Sequence, residues 1–235
     1  MSNTIDRWSY SRLKIFEQCP YRAKLQYIDK IPEPERTLPP GKKEFPNDRG
    51  SRIHDLAENF VRGKIDFPFE LKKFEPEFEK AKLLFAEGKV EAEGDWAFDK
   101  DWEATGWNEE NTWGRLKLDL LLRLTPEQAV IVDHKTGQRF GNEISHAEQL
   151  QLYQLVTFIR YPEIERIVAS AWYLDKDELT EMTFTRRQGL RFFNGFDRRA
   201  KAMTTAKKFP AKPNMFACKW CPYSPQRSGD CKYGV

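Results

Sequence analysis

The chain has 235 residues, of which 40% are hydrophobic and 32% are charged. This length suits one domain with a real core, and the composition predicts a soluble globular protein. No stretch approaches the roughly 20 apolar residues that span a bilayer, which argues against a membrane protein. The first residues lack the basic and apolar segments of a signal peptide, so we expect a cytoplasmic protein.

The N-terminal part is predicted to hold two helices with an irregular loop between them. Residues 9–27 predict the first helix, which Ser9 or Ser11 would cap, and residues 50–62 predict the second from their apolar stripe. Residues 32–48 are typical of a loop because they are rich in proline. The prolines of this loop are Pro32, Pro34, Pro39, Pro40 and Pro46.

The rest of the chain is predicted to combine strands and helices. Periodicity predicts strands at residues 89–98, 114–124, 129–135, 166–174 and 180–185. Helices are predicted at residues 72–87, 147–159 and 187–206. Ser145 and Glu148 form a capping box before the second of these helices. We predict an α/β fold in one domain over residues 1–235, made of an N-terminal segment (1–48), a core (49–185) and a basic, cysteine-rich segment (186–235).

Two carboxylates and a lysine are predicted to meet on the hairpin formed by the second and third strands. Alternating leucines would share one buried face of the second strand, which leaves Asp119 on the other face. These leucines are Leu116, Leu118, Leu120, Leu122 and Leu124. Asp133 and Lys135 share a face, and a hairpin symmetric about Pro126 places Asp119 opposite Asp133.

Two adjacent carboxylates repel each other unless a cation lies between them, and Mg²⁺ prefers oxygen ligands. Such a cation lowers the pKa of bound water and offsets charge on a phosphate, and Lys135 can orient the attacking water. The alternative is an ion pair at the rim of the sheet, because Asp-x-Lys is a common tripeptide.

Three further polar residues lie next to apolar stripes of predicted helices. Gln149 and Tyr153 are four residues apart, so they meet on one helix face, where a phosphate or the acidic patch would provide a polar partner. The alternative for Gln149 is a buried amide bonded to the backbone. His54 lies beside the buried face of the second helix, either as a structural histidine or as a second metal ligand.

Nine basic residues and one acid lie between residues 186 and 212, although the net charge of the chain is only +3. The basic residues are Arg186, Arg187, Arg191, Arg198, Arg199, Lys201, Lys207, Lys208 and Lys212. This basic stripe is either a footprint for phosphates or a solvated helix face. Candidates for stacking on bases are Trp107, Trp113, Trp220 and Tyr223, which can equally be core residues.

These motifs together resemble those of a known family. They are Gly50-x-x-x-His54, Asp119 in a strand that begins at Gly114, Val132-Asp133-His134-Lys135-Thr136-Gly137, and Gln149-x-x-x-Tyr153. Their order and spacing resemble the PD-(D/E)XK nucleases, most of all the RecB-like branch. The segment from Ser9 to Arg22 is similar to the start of the AddB nuclease domain and of the CRISPR-associated RecB-like exonucleases. The resemblance spans residues 9 to 231.

The resemblance implies a restriction-endonuclease-like core, which is a mixed central sheet with flanking helices. It implies that His54, Asp119 and Asp133 bind Mg²⁺ or Mn²⁺ and that Lys135 is the catalytic lysine. Gln149 and Tyr153 would support the site and the DNA backbone. Position 133 is Asp rather than Glu and Leu118 replaces a proline, both of which are usual in the RecB-like branch. Glu91 or Glu93 would add a carboxylate.

The four cysteines are Cys19, Cys218, Cys221 and Cys231, and their clustering predicts a metal site rather than disulfides. The resemblance implies a 4Fe-4S cluster, held by one cysteine before the nuclease core and three after it. Nine residues separate Cys221 from Cys231, more than the five that the family leads us to expect. Tetrahedral zinc would accept the same ligands.

The expected function is that of a metal-dependent DNA exonuclease that acts on DNA ends or single strands, in recombination, repair or phage DNA processing. No Gly-x-x-x-x-Gly-Lys-Ser/Thr loop occurs, so a partner helicase or recombination machinery would have to unwind the DNA. The alternatives are a non-catalytic DNA-end binding module of a larger nuclease-helicase assembly, an RNA nuclease and a zinc-stabilised protein-interaction domain.

Overall fold

The structure, a computed structural model, describes residues 3–38, 40–41, 43–137 and 139–235. The α-helices are α1 (Tyr10–Gln18), α2 (Pro20–Tyr27), α3 (Pro46–Val61), α4 (Glu75–Ala86), α5 (Glu143–Arg160), α6 (Arg186–Gly189), α7 (Phe193–Thr204) and α8 (Met215–Lys219). The strands are β1 (Val90–Phe98), β2 (Ala104–Thr105), β3 (Gly114–Thr125), β4 (Gln128–Lys135), β5 (Arg166–Tyr173) and β6 (Glu178–Thr185). Short 3-10 helices cover Phe69–Phe74 and Leu190–Phe192. Pro39, one of the prolines behind the loop prediction, lies outside the described residues.

The strands form one mixed six-stranded sheet in the order β2-β1-β3-β4-β5-β6. Neighbouring strands pair antiparallel except β4 and β5, which are parallel because α5 connects them. The predicted α/β fold with a mixed sheet and flanking helices is confirmed. Among the described residues, no helix is both long and apolar enough to cross a membrane.

Helices cover both faces of the sheet. Along β4, Ala129 and Ile131 join a core cluster that contains Leu155 of α5. Val132 joins a second core cluster that contains Ile53 of α3. Because successive side chains of a strand point to opposite faces, α5 and α3 lie on opposite sides of the sheet. Alternate side chains of β4 therefore face the layer of α5 and the layer of α3.

The leucines of β3 do not share one face, which corrects the prediction. Leu116 and Leu118 pack in the cluster of α5, Leu120 and Leu122 pack in the cluster of α3, and Leu124 is exposed. The covered face changes at Asp119, which lies between the two pairs. The alternation did not reveal this change because both faces of a sheet covered by helices on both sides are apolar.

The predicted first helix is in fact two helices that meet at Cys19. Ser9 caps α1 by accepting a hydrogen bond from the backbone N–H of Arg12. Cys19 has an extended backbone and Pro20 is the first residue of α2. Proline lacks the N–H that would continue α1 and its ring clashes with the preceding turn. The break leaves Cys19 at the junction of the two helices.

The predicted capping box at the start of α5 is wrong, because α5 already begins at Glu143. Glu148 instead accepts hydrogen bonds from Tyr10 at 2.9 Å, Lys14 at 3.0 Å and Arg199 at 2.6 Å. Burial raises the pKa of Glu148, but the contacts with Arg199, Lys14 and Tyr10 outweigh it and leave the pKa below its ordinary value. These partners lie on α1 and α7, so Glu148 ties three helices together.

Candidate functional site

Asp119 lies where β3 and β4 stop pairing. The ladder between these strands ends at Leu120↔Val132, so its register leads to Asp119 and Asp133 as the next opposed residues. Beyond that pair, the backbone N–H of His134 donates to the side chain of Asp119 and not to its backbone. The distance from this nitrogen to Oδ2 of Asp119 is 2.5 Å. The carboxylate of Asp119 therefore occupies the gap between the two strands, and it is buried.

His54 of α3 reaches the same point from the other layer. Its Nδ1 lies 2.9 Å from Oδ1 of Asp119. Gly50, one turn earlier in α3, allows this approach, because a Cβ at position 50 would lie only 3.3 Å from Oγ1 of Thr136. The predicted proximity of His54 and Asp119 is therefore observed, and the Gly50-x-x-x-His54 spacing has a packing reason.

Lys135 is held by a chain of polar side chains that begins on α5. Its Nζ lies 2.6 Å from Oδ2 of Asp133 and donates to Oε1 of Gln149 at 2.8 Å. The amide of Gln149 donates in turn to the hydroxyl of Tyr153 at 2.6 Å. Gln149 therefore has polar side-chain partners, and the alternative of an amide bonded only to backbone does not hold.

Glu93 of β1 adds a carboxylate to the cleft. Its backbone has φ +51, in the left-handed region that non-glycine residues rarely adopt. Oε1 of Glu93 lies 4.0 Å from Nδ1 of His54. Burial and the charge of Asp119 raise the pKa of Glu93 to about 7. Glu91 lies elsewhere, since it accepts hydrogen bonds from Tyr161 and Trp96.

His134 is a residue of the site that the sequence analysis missed. Its ring is buried against Phe78 and Trp172 and lies edge-on to the ring of His54. His54, Asp119 and His134 bring one potential ligand atom each to within 4.8 Å of one another. Burial lowers the pKa of His134 to about 4, so its ring is neutral near pH 7. A signal was present in the sequence, because His134 continues the alternation of Val130 and Val132 on an otherwise apolar face of β4, where histidine is unexpected.

The charges of His54, His134 and the two aspartates, Asp119 and Asp133, fit a divalent cation. Burial, with the neighbouring charge of Asp119, raises the pKa of Asp133 to about 6 despite the adjacent Lys135. Burial also raises the pKa of Asp119, but the hydrogen bond with His54 and the nearby imidazoles hold it below its ordinary value. Burial lowers the pKa of His54, but the hydrogen bond with Asp119 and the nearby carboxylates outweigh it and leave the pKa above its ordinary value. The carboxylates and imidazoles of this group open into a cleft of about 570 Å³ and are donors that Mg²⁺, Mn²⁺ and related ions take.

The four cysteines come together away from this cleft. Cys19, Cys218, Cys221 and Cys231 all line one small cavity, together with residues of α2 and the C-terminal tail. Burial raises the pKa of Cys221, and the thiols of Cys231 and Cys19 are close enough to raise it further. The N-terminal helices and the C-terminal tail therefore meet at these thiols.

Some residues of the basic stripe form hydrogen bonds and ion pairs within the protein. Arg186 donates to the carbonyls of Tyr161 and Ile164, and Arg199 donates to the carboxylates of Glu17 and Glu148. Lys201 pairs with Asp197, and Lys212 donates to the carbonyl of Glu17. The exposed remainder consists of Arg187, Arg191, Arg198, Lys207 and Lys208. The predicted phosphate footprint can therefore include only a part of the stripe.

The aromatic candidates for base stacking divide in a similar way. Trp113 and Tyr223 are buried in the protein, so they are core residues. Trp220 is 68% exposed, and Trp107 is partly exposed under the guanidinium of Arg115. Only Trp107 and Trp220 remain available to a base.

Comparison with known proteins identifies the family. The chain matches the model of the PD-(D/E)XK nuclease superfamily over residues 7–112 and 114–226. No curated protein matches the chain. Among the solved structures that are similar to it is one described as "Crystal structure of SSO0001", with 14% identity, a TM-score of 0.49 and coverage of 97% of this chain and 86% of that chain. Since the superfamily match spans nearly the whole sequence, the chain belongs to the PD-(D/E)XK nuclease superfamily, whose members are metal-dependent nucleases.

Proposed function

We propose that the chain is a RecB-like DNA exonuclease that hydrolyses phosphodiester bonds at DNA ends or in single-stranded DNA. The observation that carries this proposal is the convergence of Asp119, Asp133 and Lys135 with His54 at the end of the β3–β4 hairpin. His54, Asp119 and Asp133 would hold Mg²⁺ or Mn²⁺. A divalent cation held by these residues would polarise the scissile phosphate and lower the pKa of water.

The residues around the cation have separate roles in this proposal. Lys135 orients the attacking water and offsets charge that develops on the phosphate oxygens. Asp133 and Gln149 fix the amine of Lys135, and Tyr153 fixes Gln149. Gln149 and Tyr153 thus position the catalytic lysine in addition to supporting the DNA backbone. Glu93 supplies further negative charge beside His54.

The test is cleavage of end-labelled single-stranded and double-stranded DNA with Mg²⁺, Mn²⁺ or EDTA. We expect metal-dependent degradation that Lys135→Ala abolishes, while DNA binding persists. Lys89→Ala is the matched control, because Lys89 is exposed, pairs with Glu87 and lies outside the cleft. DNA binding without cleavage in the intact protein would favour the non-catalytic end-binding module, and preferential cleavage of competing RNA would favour an RNA nuclease.

We further propose that Cys19, Cys218, Cys221 and Cys231 hold a 4Fe-4S cluster. Their position around one cavity supports a shared metal site. Tetrahedral zinc would accept the same four thiolates, so the choice of an iron–sulfur cluster rests on the resemblance to the RecB-like iron–sulfur nucleases. Iron and zinc analysis of anaerobically purified protein decides between them, and zinc without iron would contradict the proposal.

The remaining expectations follow from this function. One sheet carries both core clusters, which supports a single nuclease domain over residues 1–235. A cytoplasmic nuclease without a nucleotide-binding loop would act with a helicase or with recombination machinery, in recombination, repair or phage DNA processing. Affinity capture from a host extract, followed by identification of an ATPase in the complex, tests the partnership.

A further inference from the structure

The imidazole of His134 is the buried polar group that the proposed function leaves without a role. Its side chain is 2% exposed, and the aromatic rings of Phe78 and Trp172 pack against it. Within the described parts of the chain, neither ring nitrogen has a hydrogen-bond partner. Buried polar atoms nearly always have one, so two orphaned nitrogens on one ring require an explanation.

We propose that a ring nitrogen of His134 is a ligand of the cation in the cleft, together with His54 and Asp119. This inference rests on the proposed function, which already assigns His54 and Asp119 to the cation. It adds an imidazole from the layer of α3 and α4, on the opposite face of β4 from Asp133. The cation would then take ligands from both sides of the strand end.

The distances are those of groups that share one ion. Two ligand atoms at about 2.1 Å from a common cation lie no more than about 4.2 Å apart. Nδ1 of His134 lies 3.8 Å from Oδ2 of Asp119, and Nδ1 of His54 lies 2.9 Å from Oδ1 of Asp119. Both pairs satisfy this limit, and the three potential ligand atoms are mutually within 4.8 Å.

The ligand set also determines which ions the site prefers. Mg²⁺ takes oxygen ligands and keeps several waters, whereas imidazole suits later transition ions. Two imidazoles beside the two carboxylates therefore favour Mn²⁺ and, more strongly, Co²⁺ over Mg²⁺. Without His134, one imidazole and two carboxylates would give a site much closer to the preference of Mg²⁺.

Pulsed EPR of Mn²⁺ bound to the full wild-type chain counts the coordinated imidazoles directly, through the coupling of their nitrogens to the metal electrons. We expect the signature of two imidazoles, those of His54 and His134. One imidazole would overturn this inference and leave the proposed function intact. Failure of the chain to bind Mn²⁺ at all would overturn both. This measurement needs no variant, so a misfolded mutant does not affect it.

Calorimetry with Co²⁺ and Mg²⁺ provides the second arm. His134→Phe keeps an aromatic ring against Phe78 and removes the nitrogens. We expect its affinity for Co²⁺ to fall about tenfold to a hundredfold, as for the loss of a group that supports a metal site, and its affinity for Mg²⁺ to change less than about threefold. The control is His146→Phe, because His146 bonds to the hydroxyl of Tyr173 and is not part of the group. Unchanged Co²⁺ affinity in folded His134→Phe would refute the proposal.

Discussion

Gln149 offers a sharp test of how Lys135, the proposed catalytic lysine, is held. The substitution Gln149→Met preserves side-chain length but removes the acceptor for Lys135 and the donor for Tyr153. Loss of the hydrogen bond to the charged amine lowers the free energy of unfolding by about 1–3 kcal/mol. An unsatisfied hydroxyl on buried Tyr153 has a cost of about the same size. Since Gln149 is only partly buried, we expect the free energy of unfolding to fall by about 2 kcal/mol. We expect kcat to fall about 10- to 100-fold, because the amine loses one of its two anchors.

The assay is single-turnover cleavage of end-labelled DNA, combined with urea denaturation and Mn²⁺ calorimetry. Mn²⁺ affinity should stay within about twofold of wild type, because Gln149 is not among the proposed ligands. Gln151→Met is the matched control, since Gln151 lies on the same helix and its side chain forms no hydrogen bond with the described residues. If Gln149→Met cleaves DNA at the wild-type rate, the ion pair with Asp133 alone positions Lys135 and the reasoning fails.

Three further substitutions test other parts of the structure. Cys19→Ser should release iron and lower Tm, measured by metal analysis and calorimetry; retention of iron would exclude Cys19 as a ligand. Glu148→Gln should destabilise the protein by about 1 kcal/mol at pH 7, after allowance for solvent screening. Because contacts such as that with Arg199 lower the folded pKa of Glu148, its contribution is complete above the ordinary value of 4.5 and disappears as the pH falls through the lower folded pKa. A mutant difference that grows in acid would contradict this sign. Gly189→Ala places a Cβ against Oε1 of Gln154 and 2.5 Å from the ring of Phe158, so overpacking should cost about 1–3 kcal/mol in chemical denaturation; unchanged stability would mean that both side chains move aside freely.

The hairpin that carries the site was largely predictable from the sequence. A hairpin symmetric about Pro126 gives the observed pairing Leu120↔Val132, which leads to Asp119 and Asp133 as expected. The pair next to the turn, Thr125↔Gln128, is one residue out of this register, and an irregularity between Arg123 and Thr125 restores it. The spacing of two residues also placed Asp133 and Lys135 side by side, as their ion pair shows. Local periodicity is sufficient here because the turn, the alternation and the motif all act over a few residues.

Features that depend on distant parts of the chain were not predictable. The predicted capping box is wrong because α5 begins before it, at Glu143, and Glu148 instead contacts Lys14 and Arg199, which lie far away in the sequence. The role of His134 depends on which helices cover its face of β4, and no local pattern carries that information. Trp113 could not be assigned to core or surface from its type alone, and it proved to be buried.

The contacts of α1 and α2 have a consequence for the order of synthesis. Their partners lie late in the chain: Glu17 pairs with Arg199, Phe16 packs on Phe209 and Tyr21 packs on Tyr233. A ribosome releases the first helices long before these partners exist, so the apolar surfaces that Phe209 and Tyr233 cover stay exposed until those residues have been synthesised. We expect chains stalled before residue 199 to be cut by protease near Cys19 and full-length chains to resist. Insertion of the proposed metal at the thiols would accordingly follow the synthesis of Cys231.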